Sequence, residues 1–184
     1  WPDDIRLRQD GAVEKYRTLL QEDVEFFVYL QYLFFRQWNR LRDYVHAQGI
    51  RIIGDLPIYV AMDSADVWAE TEFFQLDETL IPKAVSGVPP DYFSADGQLW
   101  GNPLYDWERM REDGFGWWIR RIDGAGKLYD IIRIDHFRGF ESYWAVPYGE
   151  TTAKNGRWVA GPGMDLVDRL NGWFPQLAFI AEDL

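Results

Sequence analysis

The first half of the chain is dominated by one long stretch with helical periodicity. From about residue 22 to residue 48, apolar side chains recur at steps of three and four, the period of one helical face: Phe27, Leu30, Phe34, Trp38, Leu41 and Val45. Further aromatic and aliphatic residues beside them widen that face. The pattern predicts a long, largely buried helix, which Gly49 can end because glycine tolerates the left-handed conformation found at helix ends.

Three later segments are short, apolar runs typical of buried strands. They cover residues 50–55, 131–135 and 177–182, and the first two are rich in β-branched isoleucine. Shorter helices are predicted between them, at 65–68 behind a cap from Asp63 or Ser64, from about 107, over 116–129 and over 164–173. Apolar strands that alternate with helices favour an α/β fold with a parallel sheet covered on both faces.

Residues 82–103 have no sustained period. Four of the nine prolines fall in this stretch, together with three glycines. The segment also carries aromatic residues, which disordered chains lack. We therefore expect a long structured loop inserted in the fold, and loops of this length are commonly functional.

Composition and charge narrow the classes of function. The 184 residues include 19 Lys and Arg against 30 Asp and Glu, a formal net charge of −11, and no Cys. The acidic balance argues against duplex nucleic acid or an anionic membrane surface as partner, and the densest apolar run, 26–35, is too short to span a bilayer. The absence of Cys excludes a disulfide scaffold and fits a reducing compartment such as the cytoplasm.

Each predicted strand ends on or next to a carboxylate: Asp55, Asp135 and Glu182. In parallel α/β folds the carboxyl ends of the strands open onto the ligand site, so the three acids are expected to converge on one pocket. A complete (β/α)8 TIM barrel needs about 250 residues, so this chain would be a segment of one. The alternative for each acid is a helix cap or a solvated turn residue.

Paired carboxyl groups suit the chemistry of the glycosidic bond, in which one group is ionised and the other is a protonated acid. Arg133 lies two residues before Asp135, on the same strand face, and a guanidinium there favours the ionised carboxylate. Glu182 follows apolar residues, which predicts an apolar surround that favours its protonated form. Arg133 can equally be a structural ion-pair partner.

Six segments, in order along the chain, resemble motifs of the amylomaltase family, the 4-α-glucanotransferases of glycoside hydrolase family 77. They are residues 52–60 (IIGDLPIYV), 63–68 (DSADVW), 87–94 (GVPPDYFS), 97–103 (GQLWGNP), 133–139 (RIDHFRG) and 181–184 (AEDL). The similarity is continuous from about residue 31 to the last residue. The resemblance implies that residues 1–184 are the central part of a family 77 catalytic barrel, truncated at both ends.

The resemblance also implies an activity and residue roles. Maltodextrin, starch or glycogen chains would be rearranged by a retaining double displacement, with Asp135 as nucleophile and Glu182 as acid and base. Retention requires the two carboxyl groups to lie about 5–5.5 Å apart. Arg133 would hold Asp135 and balance its charge.

The same resemblance assigns substrate contacts to three further residues. Asp55 would bind sugar hydroxyls near the cleaved bond, and Tyr92 and Trp100, on an active-site lid, would stack on glucose rings. The implied partner is an α-1,4-glucan or maltooligosaccharide, with neither nucleic acid nor membrane, and no metal or organic cofactor is needed.

The family's third catalytic acid, in a His-Asp pair on a later strand, has no counterpart within these 184 residues. We therefore expect the chain not to carry the whole active site and to be inactive in isolation. Two other functions remain open from the sequence, namely a hydrolase of α-1,4-glucans from the wider α-amylase clan and a non-catalytic glycan-binding module.

Overall fold

The structure is a computed structural model that describes residues 1–182. The last two residues of the AEDL motif, Asp183 and Leu184, lie outside the described residues. The chain divides into two compact units, residues 1–52 and 53–184. The assignment of all 184 residues to one truncated barrel domain remains a prediction.

The first unit is helical, with α1 (Asp3–Arg6), α2 (Ala12–Leu19) and α3 (Gln21–Ala47). The predicted long helix is confirmed as α3, and Gly49 ends it with φ of 74°. The hydrogen bonds from Gly49 N to His46 O and from Ile50 N to Val45 O form a Schellman cap.

The expected burial of α3 is wrong, because none of its residues is buried. Phe27, on the predicted core face, is 64% exposed. Within residues 1–52 only α1 and α2 can cover this helix, and they have 4 and 8 residues against its 27. Periodicity reports the side chains that suit burial, whereas burial itself needs a partner surface.

The second unit contains the remaining strands and helices among the described residues. They are β1 (Ile53–Pro57), α4 (Ala65–Ala69), β2 (Ala84–Val88), β3 (Gln98–Pro103), α5 (Trp107–Glu112), α6 (Gly116–Gly126), β4 (Ile131–Asp135), β5 (Ser142–Pro147), β6 (Arg157–Ala160), α7 (Met164–Trp173) and β7 (Ala178–Ala181). Single 3-10 turns occur at Thr71–Phe73 and Phe137–Phe140. Ser64, one of the two predicted caps, accepts a hydrogen bond from Val67 N at the start of α4.

The predicted parallel sheet is confirmed, in the order β1-β4-β7 with both pairs parallel. Within residues 1–182, β4 is the middle strand of this sheet, between β1 and β7, and its Ile132 and Ile134 are fully buried. The first strand begins at Ile53 rather than residue 50 and continues two residues beyond Asp55. Its expected burial is only partial, since Ile53 on this edge strand is 57% exposed.

The prediction of a long loop over residues 82–103 is wrong, because much of this segment is β-structure. Strands β2 and β3 lie in a second, antiparallel sheet of order β3-β2-β5-β6. The pairing of β2 with β3 is interrupted by a bulge between Val85 and Gly87, which hides the period of a regular strand. The other neighbour of β2 is β5, which lies some sixty residues further along the chain; Ala84, for example, pairs with Pro147.

An aromatic core joins the helices to the strands of the second unit. Trp118 and Ile122 of α6 are fully buried, and Tyr105 and Phe140 pack against the Trp118 ring. Among residues 1–182, no helix is both long enough and apolar enough to cross a lipid bilayer. The core fixes β4 from one side and leaves the carboxyl ends of the parallel strands facing a cavity.

Candidate active site

Strand register brings the predicted acids to one basic residue. Asp55 of β1 lies directly opposite Arg133 of β4 in the parallel pairing. Arg133 and Asp135 are two residues apart on β4 and therefore share a face of the sheet. Glu182 follows β7, and its N–H donates to Ile134 O at 3.1 Å while its carbonyl oxygen accepts from Phe137 N at 2.9 Å. The main chain of Glu182 is thus anchored to the end of β4.

The Arg133 guanidinium contacts all three carboxylates. Its Nη1 lies 2.5 Å from Asp55 Oδ1 and 3.3 Å from Asp135 Oδ1, and its Nη2 lies 3.2 Å from Glu182 Oε1. The hydrogen bond to Asp55 is the largest cause that raises the pKa of Arg133 above its usual value, with further support from the charges of Glu182 and Asp135. The group therefore remains a fixed positive charge among the acids.

Glu182 is the least exposed of the three acids, at 17% of its side chain. Its second oxygen, Oε2, accepts a hydrogen bond of 2.8 Å from His136 N. That amide is aimed by a left-handed backbone at His136, with φ of 56° and ψ of 45°. The apolar surround expected for Glu182 is not found, because a guanidinium and an amide contact its two oxygens. Sequence reasoning missed this role of the His136 main chain.

The His136 side chain is buried beside the acids. Its ring lies edge-on to the Trp100 ring, with 4.9 Å between centroids. Burial lowers the pKa of His136 below its usual value, although the charges of Glu182 and Asp135 act in the opposite direction. The imidazole is therefore neutral near pH 7 and packs as part of the wall of the site.

Two adjoining cavities open at these residues. One, of about 440 Å³, is lined by Val88, Pro89, Asp91, Gln98, Trp100, Asp135, His136, Arg138, Trp158 and Glu182. The other, of about 530 Å³, is lined by Pro57, Ile58, Tyr59, Leu99, Trp100, Asn102, Asp135 and His136. They share Trp100, Asp135 and His136, and both volumes are in the range of small-molecule sites.

The antiparallel sheet supplies the other wall of the site. Trp100, on β3, is 38% exposed and lines both cavities. Tyr92 lies in the β2–β3 connection, is 96% exposed and contacts the ring of Phe93. Tyr92 is not among the residues that line the two cavities, and neither is Asp55, although Asp55 contacts Arg133. Asp91, the neighbour of Tyr92, does line the first cavity.

Several lining residues were not singled out from the sequence. Arg138 stands inside the RIDHFRG motif, three residues after Asp135, so its position in the motif was an available signal. Trp158 had no such signal, because it reaches the site only through the pairing of β6 with β5. Tyr59 lies within the quoted IIGDLPIYV motif but was assigned no role.

Comparison with known proteins identifies relatives along the whole chain. The family model described as 4-alpha-glucanotransferase, glycoside hydrolase family 77, matches residues 1–184. A 4-alpha-glucanotransferase of Clostridium butyricum is 54% identical over 185 residues, covering 100% of this chain and 38% of the relative. The chloroplastic/amyloplastic 4-alpha-glucanotransferase of Solanum tuberosum is 50% identical, covering 100% of this chain and 32% of the relative.

Solved structures agree with these relatives. The amylomaltase of Streptococcus agalactiae in complex with acarbose superposes with a TM-score of 0.95 at 45% identity, covering 100% of this chain and 37% of that one. The amylomaltase of Corynebacterium glutamicum has the same fold, with a TM-score of 0.77 at 24% identity over 89% of this chain and 23% of that one. This chain thus spans less than two fifths of the length of these relatives. On the family match and the identities, the chain belongs to the 4-alpha-glucanotransferase family, glycoside hydrolase family 77.

Proposed function

We propose that this chain provides two acids of a 4-α-glucanotransferase, which moves α-1,4-glucan segments from a donor to an acceptor glucan or glucose. The observation that carries the proposal is the contact of one guanidinium with both Asp135 and Glu182 at the wall of a single cavity. A retaining glycosyl transfer uses two carboxyl groups at one site, one as nucleophile and one as acid and base.

The reaction proceeds in two displacements. An Asp135 oxygen forms a bond to the anomeric carbon while the bond from that carbon to the leaving sugar oxygen breaks. The leaving oxygen takes the proton of Glu182. In the second step the acceptor hydroxyl gives its proton to Glu182. The acceptor oxygen then displaces Asp135 from the anomeric carbon, and Asp135 is released as a carboxylate.

The neighbouring groups position this chemistry. Arg133 holds Asp135 in place and balances its charge, and Asp55 beside it accepts hydrogen bonds from hydroxyls of the donor sugar. The indole of Trp100 packs against a glucose ring, because it lines both cavities. Tyr92, exposed on the β2–β3 connection, contacts sugar when that lid segment closes over the site. Exclusion of water by a lid favours transfer over hydrolysis.

The parallel sheet is part of a (β/α)8 TIM barrel of which residues 1–184 form the central segment. Support comes from the parallel order β1-β4-β7, from the helices between these strands and from the similarity to amylomaltase structures. The substrate is an α-1,4-glucan of maltodextrin, starch or glycogen metabolism, and we place the reaction in the cytoplasm because the chain has no Cys. The plant relatives are named chloroplastic or amyloplastic.

The test uses the full-length polypeptide with maltotriose as the sole substrate. Transfer produces glucose together with longer maltooligosaccharides, whereas hydrolysis by an amylase-type enzyme raises reducing ends without longer products. Asp135→Asn and Glu182→Gln are expected to lose turnover while sugar binding, measured by calorimetry, remains. Asp168→Asn, an exposed acid on α7, is the matched control and should keep full activity. Unchanged turnover in both site variants would instead support a glycan-binding module.

A further inference from the structure

A cation stacked on an aromatic ring forms part of the wall of the 440 Å³ cavity. Arg138 follows β4 and Trp158 lies on β6, and Cζ of Arg138 is 4.3 Å from the centroid of the Trp158 ring. This separation is well inside the range of a cation–π contact. The pair lines the same cavity as Asp135 and Glu182, and none of the roles above uses it.

The Arg138 guanidinium keeps its hydrogen-bonding capacity for a ligand. An arginine carries five N–H donors and no acceptor. Within residues 1–182, Arg138 makes neither a hydrogen bond to a protein acceptor nor an ion pair, since the site carboxylates are paired with Arg133 instead. Stacking on a ring engages the flat face of the guanidinium and leaves its edge, where the donors are, available.

The ring beneath Arg138 is itself held in place. Trp158 is 43% exposed, and its ring packs against Trp144, with 5.3 Å between centroids and an angle of 70°. Nε1 of Trp144 donates to Ala153 O at 2.8 Å, which fixes the supporting indole. An oriented donor edge beside an exposed indole suits the hydroxyls and the apolar face of a sugar ring.

The two cavities differ in whether they contain Glu182, and this difference assigns Arg138 and Trp158 to one side of the cleaved bond. Both contain Asp135, whose partner is the anomeric carbon of the donor sugar. Only the cavity with Arg138 and Trp158 also contains Glu182, whose partner is the oxygen of the leaving group and later of the acceptor. The cavity with Glu182 therefore lies on the acceptor side, and the cavity without it on the donor side.

We propose that Arg138 and Trp158 form an acceptor subsite that binds the glucose unit next to the cleaved bond, first in the leaving glucan and then in the acceptor. The inference rests on the proposed transferase function. It makes the pair a determinant of how the glycosyl-enzyme divides between transfer to sugar and attack by water.

The experiment separates effects on the donor side from effects on the acceptor side by using a donor whose leaving group is fluoride rather than a sugar. The full-length polypeptide is given α-maltotriosyl fluoride as donor and glucose as acceptor. In a double displacement, kcat/KM for the donor reports only steps up to fluoride release, when the acceptor side is empty. Arg138→Ala and Trp158→Ala are each expected to leave this value within about twofold and to lower kcat/KM for glucose about tenfold. The first variant loses a charged hydrogen-bond donor, and the second loses an aromatic contact surface.

Two further variants sharpen the test. Arg138→Lys keeps the charge but loses the planar fork, so an intermediate loss for glucose is expected. Trp173→Ala removes a comparably exposed indole, 57% exposed, that lines neither site cavity, and should leave both values unchanged. Added guanidinium ion should partly restore glucose transfer in Arg138→Ala, which a merely structural defect would not allow.

Each other outcome has a defined meaning. An unchanged kcat/KM for glucose in both Arg138→Ala and Trp158→Ala overturns the acceptor subsite. An equal fall in the donor and acceptor values also overturns it, because the pair would then act on the first displacement or on folding. Absence of fluoride release from the unsubstituted polypeptide contradicts the proposed function itself, and so differs from failure of the subsite.

Discussion

A single added methyl group on β1 tests how tightly the sheet positions the site. Gly54 lies next to Asp55, pairs with Ile132 of β4, and faces the ring of Tyr129. A Cβ at residue 54 would overlap the Cδ2, Cγ and Cε2 atoms of Tyr129, far inside the van der Waals distance of about 3.5 Å. The ring cannot escape by moving only its tip, because Cγ is attached to the backbone through a single carbon.

The expected cost of Gly54→Ala follows from two opposing effects. Overpacking of this kind destabilises by about 1–3 kcal/mol, whereas Ala in place of Gly restricts the unfolded chain and returns about 0.4–1 kcal/mol. The two effects combine to a loss of about 0–2.6 kcal/mol, and because the overlap includes Cγ of Tyr129 we expect the upper half of that range. If β1 shifts to relieve the overlap, Asp55 moves away from Arg133 and glucan transfer falls as well.

A double-mutant cycle isolates the proposed contact. Urea unfolding of the full-length polypeptide is compared for Gly54→Ala, Tyr129→Ala and the double variant, in which the missing ring leaves room for the methyl group. The coupling energy should be at least about 1 kcal/mol in favour of the double variant, and transfer activity should recover with it. In Gly124→Ala, where a Cβ would meet nothing within 4 Å, stability should stay equal or rise. The steric argument would be refuted if Gly54→Ala lowered stability equally with Tyr129 present and in Tyr129→Ala, or if it lowered stability in neither.

Two further predictions concern a helix cap and a buried imidazole. Ser64→Ala should lower the free energy of unfolding by about 1 kcal/mol through loss of the α4 cap, measured by urea unfolding, while the neighbouring Asp63→Ala should not. Because burial lowers the pKa of His136, the unfolded chain binds a proton below about pH 6.5 that the folded chain does not. Stability therefore falls as the pH drops through about 6.5, and His136→Asn should lose less stability over that change; an equal loss contradicts the assignment.

The parallel sheet could be predicted because its information is local. Residues 131–135 form β4 with the predicted bounds, since a short run rich in β-branched isoleucine suits a strand of a parallel sheet. The convergence of Asp55 and Asp135 on Arg133 then follows from the register, because the carboxyl ends of parallel strands meet at one edge. Helix α7 was predicted with its observed bounds for a similar reason, as its period is contained within ten residues.

The antiparallel sheet could not be predicted in the same way. Strands β2 and β5 pair across a long sequence separation, and the bulge in β2 breaks the alternation that would mark it. The exposed state of α3 was also missed, because periodicity marks a face for burial without showing what covers it. The polar surround of Glu182 depends on the left-handed turn at His136, a conformation in which histidine is enriched but which the residue type alone does not specify.

Arg133 contacts the three acids of the site at unequal distances. One guanidinium faces three acids, beside which the proposed transfer would develop positive charge on the sugar ring. The closest contact, 2.5 Å, goes to Asp55, whereas Asp135 lies at 3.3 Å. This longer contact is made to Oδ1 of Asp135, so Oδ2 is the oxygen that Arg133 leaves for the anomeric carbon in the proposed reaction. Arg138, which lines the cavity, is stacked on Trp158 rather than paired with an acid, so its guanidinium adds positive charge at the cavity without occupying an oxygen of Asp135 or Glu182.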